Sequence, residues 1–188
     1  YPQFFKPGET ASRDREFASM LDSAQLVLVN AQAVVADLAI FYPGHAARVV
    51  ALPFAPLMRA DSFASIMAQA PLAQQRYGTG SHYLMVCNQF WVHKDHRTAF
   101  EAFALARKHG ALQSYRLVCS GLTQDYRFPG YFAELQALVK QLHIQEHVVF
   151  TGYIDKLDQL ALLSGAQALV QPTLFEGGPG GGAAFDAV

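Results

Sequence analysis

Tyr83-Leu84-Met85-Val86-Cys87-Asn88-Gln89-Phe90-Trp91-Val92-His93-Lys94-Asp95-His96 passes from an apolar run into a polar loop, and a helical pattern follows from His96 to His109. The run is apolar at consecutive positions, as a strand covered on both faces requires. The same alternation continues, with strand-like runs at Tyr115 to Cys119, His147 to Phe150 and Ala168 to Gln171, and helical patterns at about Pro129 to Leu142 and Lys156 to Ser164. Strands alternating with helices of this length give βαβ crossovers and a parallel sheet. Local chemistry marks the boundaries. Asp95 is placed to cap the helix after it, Gly110 stands where a left-handed residue closes a helix, and Pro129 suits a first helical turn. The expected fold is α/β, a Rossmann-like parallel sheet with flanking helices.

Upstream, Leu26-Val27-Leu28-Val29 and Arg48-Val49-Val50-Ala51-Leu52-Pro53 read as strands around a helix-length segment. Phe17, Met20 and Leu21 recur at helical spacing, which places an amphipathic helix over Ser12 to Ser23. From 57 to 82 the pattern loosens into a linker with one short helix around Ala60 to Gln69. The expected organisation is one domain over 1–56, this linker, and a second domain over 83–188.

The 188 residues are 52% hydrophobic and 15% charged, carry a net charge of −1 and include 14 Phe and 8 Tyr. That composition calls for a large core and excludes a nucleic-acid binder built on a basic face. No apolar run reaches the roughly 18 residues of a spanning helix; Gln25, Asn30 and Gln32 break the richest stretch. Cys87 and Cys119 lie inside apolar runs, as buried thiols in a reducing compartment do. The expected location is the cytoplasm, with at most peripheral membrane contact. Tyr1-Pro2-Gln3-Phe4-Phe5 reads as the interior of a longer sequence.

In an open parallel sheet, ligands bind outside the carboxyl ends of the strands. The first strand of the second domain is followed by Asn88 to His96, the second by Ser120-Gly121, and the third by Thr151-Gly152-Tyr153. After the fourth come Pro172-Thr173-Leu174-Phe175-Glu176 and a glycine run comprising Gly177, Gly178, Gly180, Gly181 and Gly182. Backbone N–H groups of such a run form an anion cradle, and a bound ligand would offset the entropy that the glycines lose. The competing reading is a flexible connection. No Gly-Lys-Ser/Thr follows, so it is not a Walker loop. Glu176 at the mouth of the cradle suits sugar or ribose hydroxyls, which donate to a carboxylate. Asp186 reads equally as a second such acceptor or as complementing a helix N-terminus in the first turn. Lys94 is a point charge for a diphosphate or else a solvated loop lysine. His93 and His96 have no partner at metal-ligand spacing and read as polar loop residues. Tyr153 either meets a nucleobase or packs in the core.

Three stretches, Val86 to His96, Thr151-Gly152-Tyr153 and Gln171 to Gly177, resemble the donor-binding domain of retaining glycosyltransferases of the GT-B fold, family 4. The resemblance covers about Tyr83 to Val188, and a softer one links the first 56 residues to the end of the acceptor-binding domain. It implies a chain cut at both ends of a two-domain enzyme, inactive by itself. The implied reaction moves a sugar from a UDP- or GDP-sugar to a hydroxyl of a glycan or lipid-linked acceptor, with retention. Neither a cofactor nor a metal takes part, and cations and amides oppose the charge of the departing diphosphate. In such enzymes a basic pair in the first loop holds the diphosphate. Lys94 matches its second member, and Asn88 stands where an arginine is common. The family's paired acidic motif implies that Glu176 lies at the donor sugar, with Asp186, two positions late, in the ribose role. Glu176 and Lys94 are therefore the catalytic candidates. Asn88, Gly121, Gly152, Tyr153, the five glycines and Asp186 are the donor-binding candidates. A GT-B epimerase or phosphorylase, or a non-catalytic nucleotide-binding module, is the alternative.

Overall fold

The computed structural model describes residues 1–53, 55, 62–176 and 182–186. It contains two compact units, Tyr1–Ala55 with Glu176–Gly182, and Pro56–Phe175 with Ala183–Val188.

In the first unit, α1 (Glu9–Ser23) precedes the parallel pair β1 (Leu26–Val29) and β2 (Arg48–Ala51), joined through α2 (Gln32–Phe41). The amphipathic helix thus starts three residues before the expected Ser12, on Gly8 in a left-handed conformation. Val27 aligns with Val49 and faces Leu21, Leu38 and Ala47, which form the core of this unit. Leu26 and Leu28 alternate to the opposite face and are exposed.

The second unit opens with α3 (Phe63–Tyr77), a 15-residue helix where a linker with a short helix was expected. Ile66, Ala70 and Ala73 are its buried residues, spaced three and four apart on one face, and Gly78 closes it in a left-handed conformation. The chain then alternates through β3 (Tyr83–Cys87), α4 (His96–Lys108), β4 (Arg116–Ser120), α5 (Tyr131–Gln141), β5 (Val148–Gly152), α6 (Lys156–Gly165), β6 (Ala168–Leu169) and α7 (Gly182–Asp186). The four strands are parallel in the order β5-β4-β3-β6. Strand boundaries differ from expectation by up to two residues, and β6 ends at Leu169, although the Val170 N–H still donates to Met85 O at 2.8 Å.

Alternate residues of each strand feed two cores. Val86, Leu117, Cys119 and Val148 meet Phe100 and Phe103 of α4 with Leu135, Leu138 and Val139 of α5. Tyr83, Met85 and Val118 meet Ile66 and Ala73 of α3 with Leu160 to Leu163 of α6. The sheet is thus covered on both faces, the reason its strands are apolar without alternation. Asp95 caps α4 by accepting from the Thr98 N–H, and Gly110 takes the expected positive φ of 85°. Pro129 stays outside α5, which begins at Tyr131. The whole is the α/β, Rossmann-like arrangement with flanking helices that the pattern predicts.

Candidate functional site

The strand order reverses beside β3, since β4 and β5 extend to one side and β6 returns to the other. Such a reversal opens a crevice at the carboxyl ends. The loops after β3 and β6 face it, and short contacts tie the neighbouring loops together. The Asn88 side-chain amide donates to Gln171 Oε1 at 3.0 Å, joining the two sides of the reversal. The Gly121 N–H donates to the Gly152 carbonyl at 2.9 Å, next to a register irregularity between Cys119 and Ser120. The Phe90 N–H donates to Leu122 O at 2.9 Å and the Trp91 indole to Gln124 O at 3.3 Å.

Gly121 has φ 152°, and a Cβ there would lie 2.2 Å from the Asn88 carbonyl oxygen. Only a residue without a side chain lets the β4 end approach the loop holding Asn88 so closely. The same loop makes a short 3-10 turn over Val92–Lys94. Lys94 is buried at its end, 9% exposed, which overturns the solvated-lysine reading.

His93 and His96 are likewise buried, correcting their reading as polar loop residues. The His93 ring stacks on Phe175 with centroids 4.7 Å apart, and the ring of His96, the first residue of α4, stacks on Phe90 at 4.4 Å. Burial pushes the His96 imidazole down to about 4, Lys94 adds to the effect, and the Asn88 backbone opposes it. Among the described residues no three His, Cys, Asp or Glu side chains gather to hold a metal ion.

Tyr153 is 74% exposed, so the core-packing alternative for it falls. Asp186 lies beyond the first turn of α7 and is buried, which removes the helix-N-terminus reading. Its carboxylate pairs with Lys156 Nζ, which also donates to Gln159 Oε1 at 3.3 Å. The Lys156–Asp186 pair acts electrostatically on the Cys87 thiol at the end of β3; burial is the larger effect there and raises the thiol's pKa.

Gly177, Gly178, Gly180 and Gly181 lie outside the described residues, and with them most of the expected cradle; Gly182 begins α7. Glu176 is grouped with the first unit, so the crevice described above is built from the second unit alone. That unit brings together Asn88, Gly121 and Gly152, places Lys94 six residues past Asn88, and leaves Tyr153 exposed.

Sequence reasoning missed Gln171, Lys156 and the pair Asp125 and Arg127. Asp125 Oδ1 accepts from the Arg127 N–H at 2.9 Å, and the Arg127 guanidinium lies 5.1 Å from the Trp91 ring. Lys156 had one sequence signal, its position directly after the loop that ends β5. Its partner stands 30 residues away, a separation that no local pattern encodes.

Residues 73–180, more than half of the chain, match the family model described as glycosyl transferases group 1. No curated protein matches the chain. HepE of Anabaena in complex with UDP and glucose is similar in structure with TM-score 0.76 and 16% identity, over 100% of this chain and 47% of that one. Sucrose-phosphate synthase from Thermosynechococcus elongatus has TM-score 0.67 and 22% identity, over 94% of this chain and 41% of the other. The UDP-forming alpha,alpha-trehalose-phosphate synthase from Burkholderia xenovorans in complex with glucose-6-phosphate has TM-score 0.69 and 13% identity, over 87% and 43%. The chain thus spans less than half the length of these structures, and at such identities the likeness is one of fold, the GT-B type. With the family match covering most of the second unit, the chain belongs to the glycosyl transferases group 1 family.

Proposed function

We propose that the second unit is the donor side of a glycosyltransferase that moves a sugar from a UDP- or GDP-sugar to the hydroxyl of a glycan or lipid-linked acceptor, with retention and without a metal. The observation that carries this reading is the crevice beside β3, where Asn88 reaches Gln171 across the strand-order reversal and a buried Lys94 closes the same loop. The bond from the sugar's anomeric carbon to the diphosphate breaks, and the nucleoside diphosphate leaves with the electron pair. The acceptor oxygen bonds to that carbon and gives up its proton to the departing phosphate. Negative charge grows on the leaving group, so an ammonium and amides already in place lower the barrier without reorganising.

In this reading Lys94 supplies the cation and Asn88 a hydrogen bond where a second cation would be stronger. Glu176 accepts from a sugar hydroxyl, in a contact that tightens in the transition state. Gly121, Gly152 and Tyr153 border the nucleoside, and the glycines from Gly177 to Gly182 supply amides. Asp186 takes the ribose role. HepE in complex with UDP and glucose, which shares the fold, supports a nucleotide-sugar donor. Thermal shift with UDP, GDP and their sugars against ADP and NAD tests the proposal. Stabilisation by a uridine or guanosine diphosphate that falls away in Lys94→Ala is expected. A response to ADP or NAD alone would instead favour a non-catalytic nucleotide-binding module.

A further inference from the structure

His93 is joined to the loop after β6 in three ways. Its carbonyl accepts from the Leu174 N–H at 2.9 Å and from Thr173 Oγ1 at 3.3 Å, and its ring lies against Phe175 at 4.7 Å with planes 20° apart. Trp91 also lies near this ring, with centroids 5.7 Å apart and planes tilted by 45°. His93 is itself buried, on a turn that the Lys94 N–H closes onto Trp91 O at 2.9 Å. Lys94 follows His93 and Glu176 follows Phe175, so the two stacked rings each precede one of the two groups to which the chemistry is assigned.

We infer that His93 is a positioning residue, clamping the loop that follows β6 onto the loop that carries Lys94 and so fixing Phe175 at the point where the chain passes to Glu176. The inference rests on the donor-site reading of Lys94 and Glu176. The backbone bonds at the His93 carbonyl set the distance between the loops, and the ring stack sets their twist. An imidazole is flat and short, so it packs parallel to Phe175; a branched aliphatic side chain of similar size fills the space without a flat face. Charge on the imidazole is not required, and a phenyl ring at the same position satisfies the stack.

Amide hydrogen exchange on the full chain reads the clamp without reference to activity. In His93→Leu the Leu174 amide is expected to exchange about three- to tenfold faster, the factor an aromatic stack confers. The Val118 amide, in the middle of β4, stays as in the parent and excludes general loosening. His93→Phe restores the Leu174 rate. Phe175→Leu reproduces the effect from the opposite side, and the double variant is no faster than either single one because both remove the same contact. Trp91, the one tryptophan of the sequence, shifts its emission in His93→Leu and returns in His93→Phe.

An unchanged Leu174 rate in both His93→Leu and Phe175→Leu would overturn the clamp, as would additive effects in the double variant. The positioning role is read separately, by calorimetric titration with UDP and GDP. Weaker binding in His93→Leu, restored in His93→Phe, supports it. Equal affinity in parent, Leu and Phe proteins, with Leu174 exchange altered, overturns it and leaves a structural stack. If the parent chain binds neither nucleotide, the donor-site reading fails and the positioning inference fails with it, whatever the exchange rates say of the clamp.

Discussion

His96 opens α4 with no exposed surface, between Phe90 and Phe100, and its neutral form is favoured there. Its pKa falls from 6.5 to about 4 on folding, first because of burial. Between those values the unfolded chain binds a proton that the folded one refuses. The stability contributed by neutral His96 is therefore complete above pH 6.5 and is lost as pH falls toward about 4, a change on the order of 3 kcal/mol. Urea unfolding from pH 7 to 4 should show this slope, and His96→Leu should flatten it; an unchanged slope in the variant would refute the assignment. Lys156 makes a second residue-scale prediction. Its side chain is 37% exposed and that of Asp186 only 3%, so Lys156→Met takes an ammonium away from a carboxylate far more buried than itself. A loss of about 2 kcal/mol is expected, below that of a wholly buried pair because the ammonium is partly hydrated in the native state. Lys156→Arg should recover most of it. Equal urea midpoints for parent and Lys156→Met would show that the pair contributes nothing.

At the scale of elements, the contact between the loop after β4 and Asn88 is the closest approach at any of the described glycines. Gly121→Ala would set a methyl 2.2 Å from the Asn88 carbonyl oxygen and 2.6 Å from its carbon, at φ 152°, a conformation foreign to alanine. Backbone must move on one side or the other. The variant should lose at least about 2 kcal/mol of stability. It should also lose the Asn88–Gln171 hydrogen bond that crosses the crevice, so nucleotide affinity would fall along with the unfolding midpoint. A Gly121→Ala chain with parental midpoint and parental UDP binding would contradict this account. The repeating strands and helices from Tyr83 to Gly165 were legible because two-sided burial leaves strands apolar throughout, and because Asp95 and Gly110 mark helix ends by local chemistry. Of α3, the expected short helix reached only as far as Gln69. Pro71 inside it reads as a break, and its buried face is Ile66, Ala70 and Ala73, two of them alanines that add little apolar signal. What holds α3 is tertiary: Arg76 and the Tyr77 hydroxyl both reach Asp158 of α6 at 2.6 Å. The Lys156–Asp186 pair and the His93–Phe175 stack were hidden for the same reason, since each joins residues far apart in the chain. The meeting of Asn88 and Gly121 was legible because residues that follow neighbouring parallel strands are gathered at one edge by topology alone.

Over the whole molecule, the two units differ sharply in how they are held together. The second unit buries both faces of a four-stranded sheet, with Tyr83, Met85, Val86, Leu117, Val118 and Cys119 all at 1% exposure or less. The first has two strands of four residues, and its buried core is Leu21, Val27, Leu38 and Ala47. Leu26 and Leu28 are 51% and 58% exposed on the face opposite that core. Three large side chains and one alanine are a small core to set against the entropy of ordering two helices and a sheet. A two-stranded sheet covered on one face is moreover near the lower limit of independent stability. The two units should therefore not unfold together. Native-state amide exchange in rising urea is expected to show β1 and β2 opening at denaturant concentrations where β3 and β4 remain protected, by a factor of at least about a hundred. Circular dichroism should accordingly register a shallow early loss before the main cooperative transition. If instead the amides of β1 and β3 lost protection at one common midpoint, the small core would have to be supported by contacts beyond those of its own unit, and the ranking of the units would be wrong.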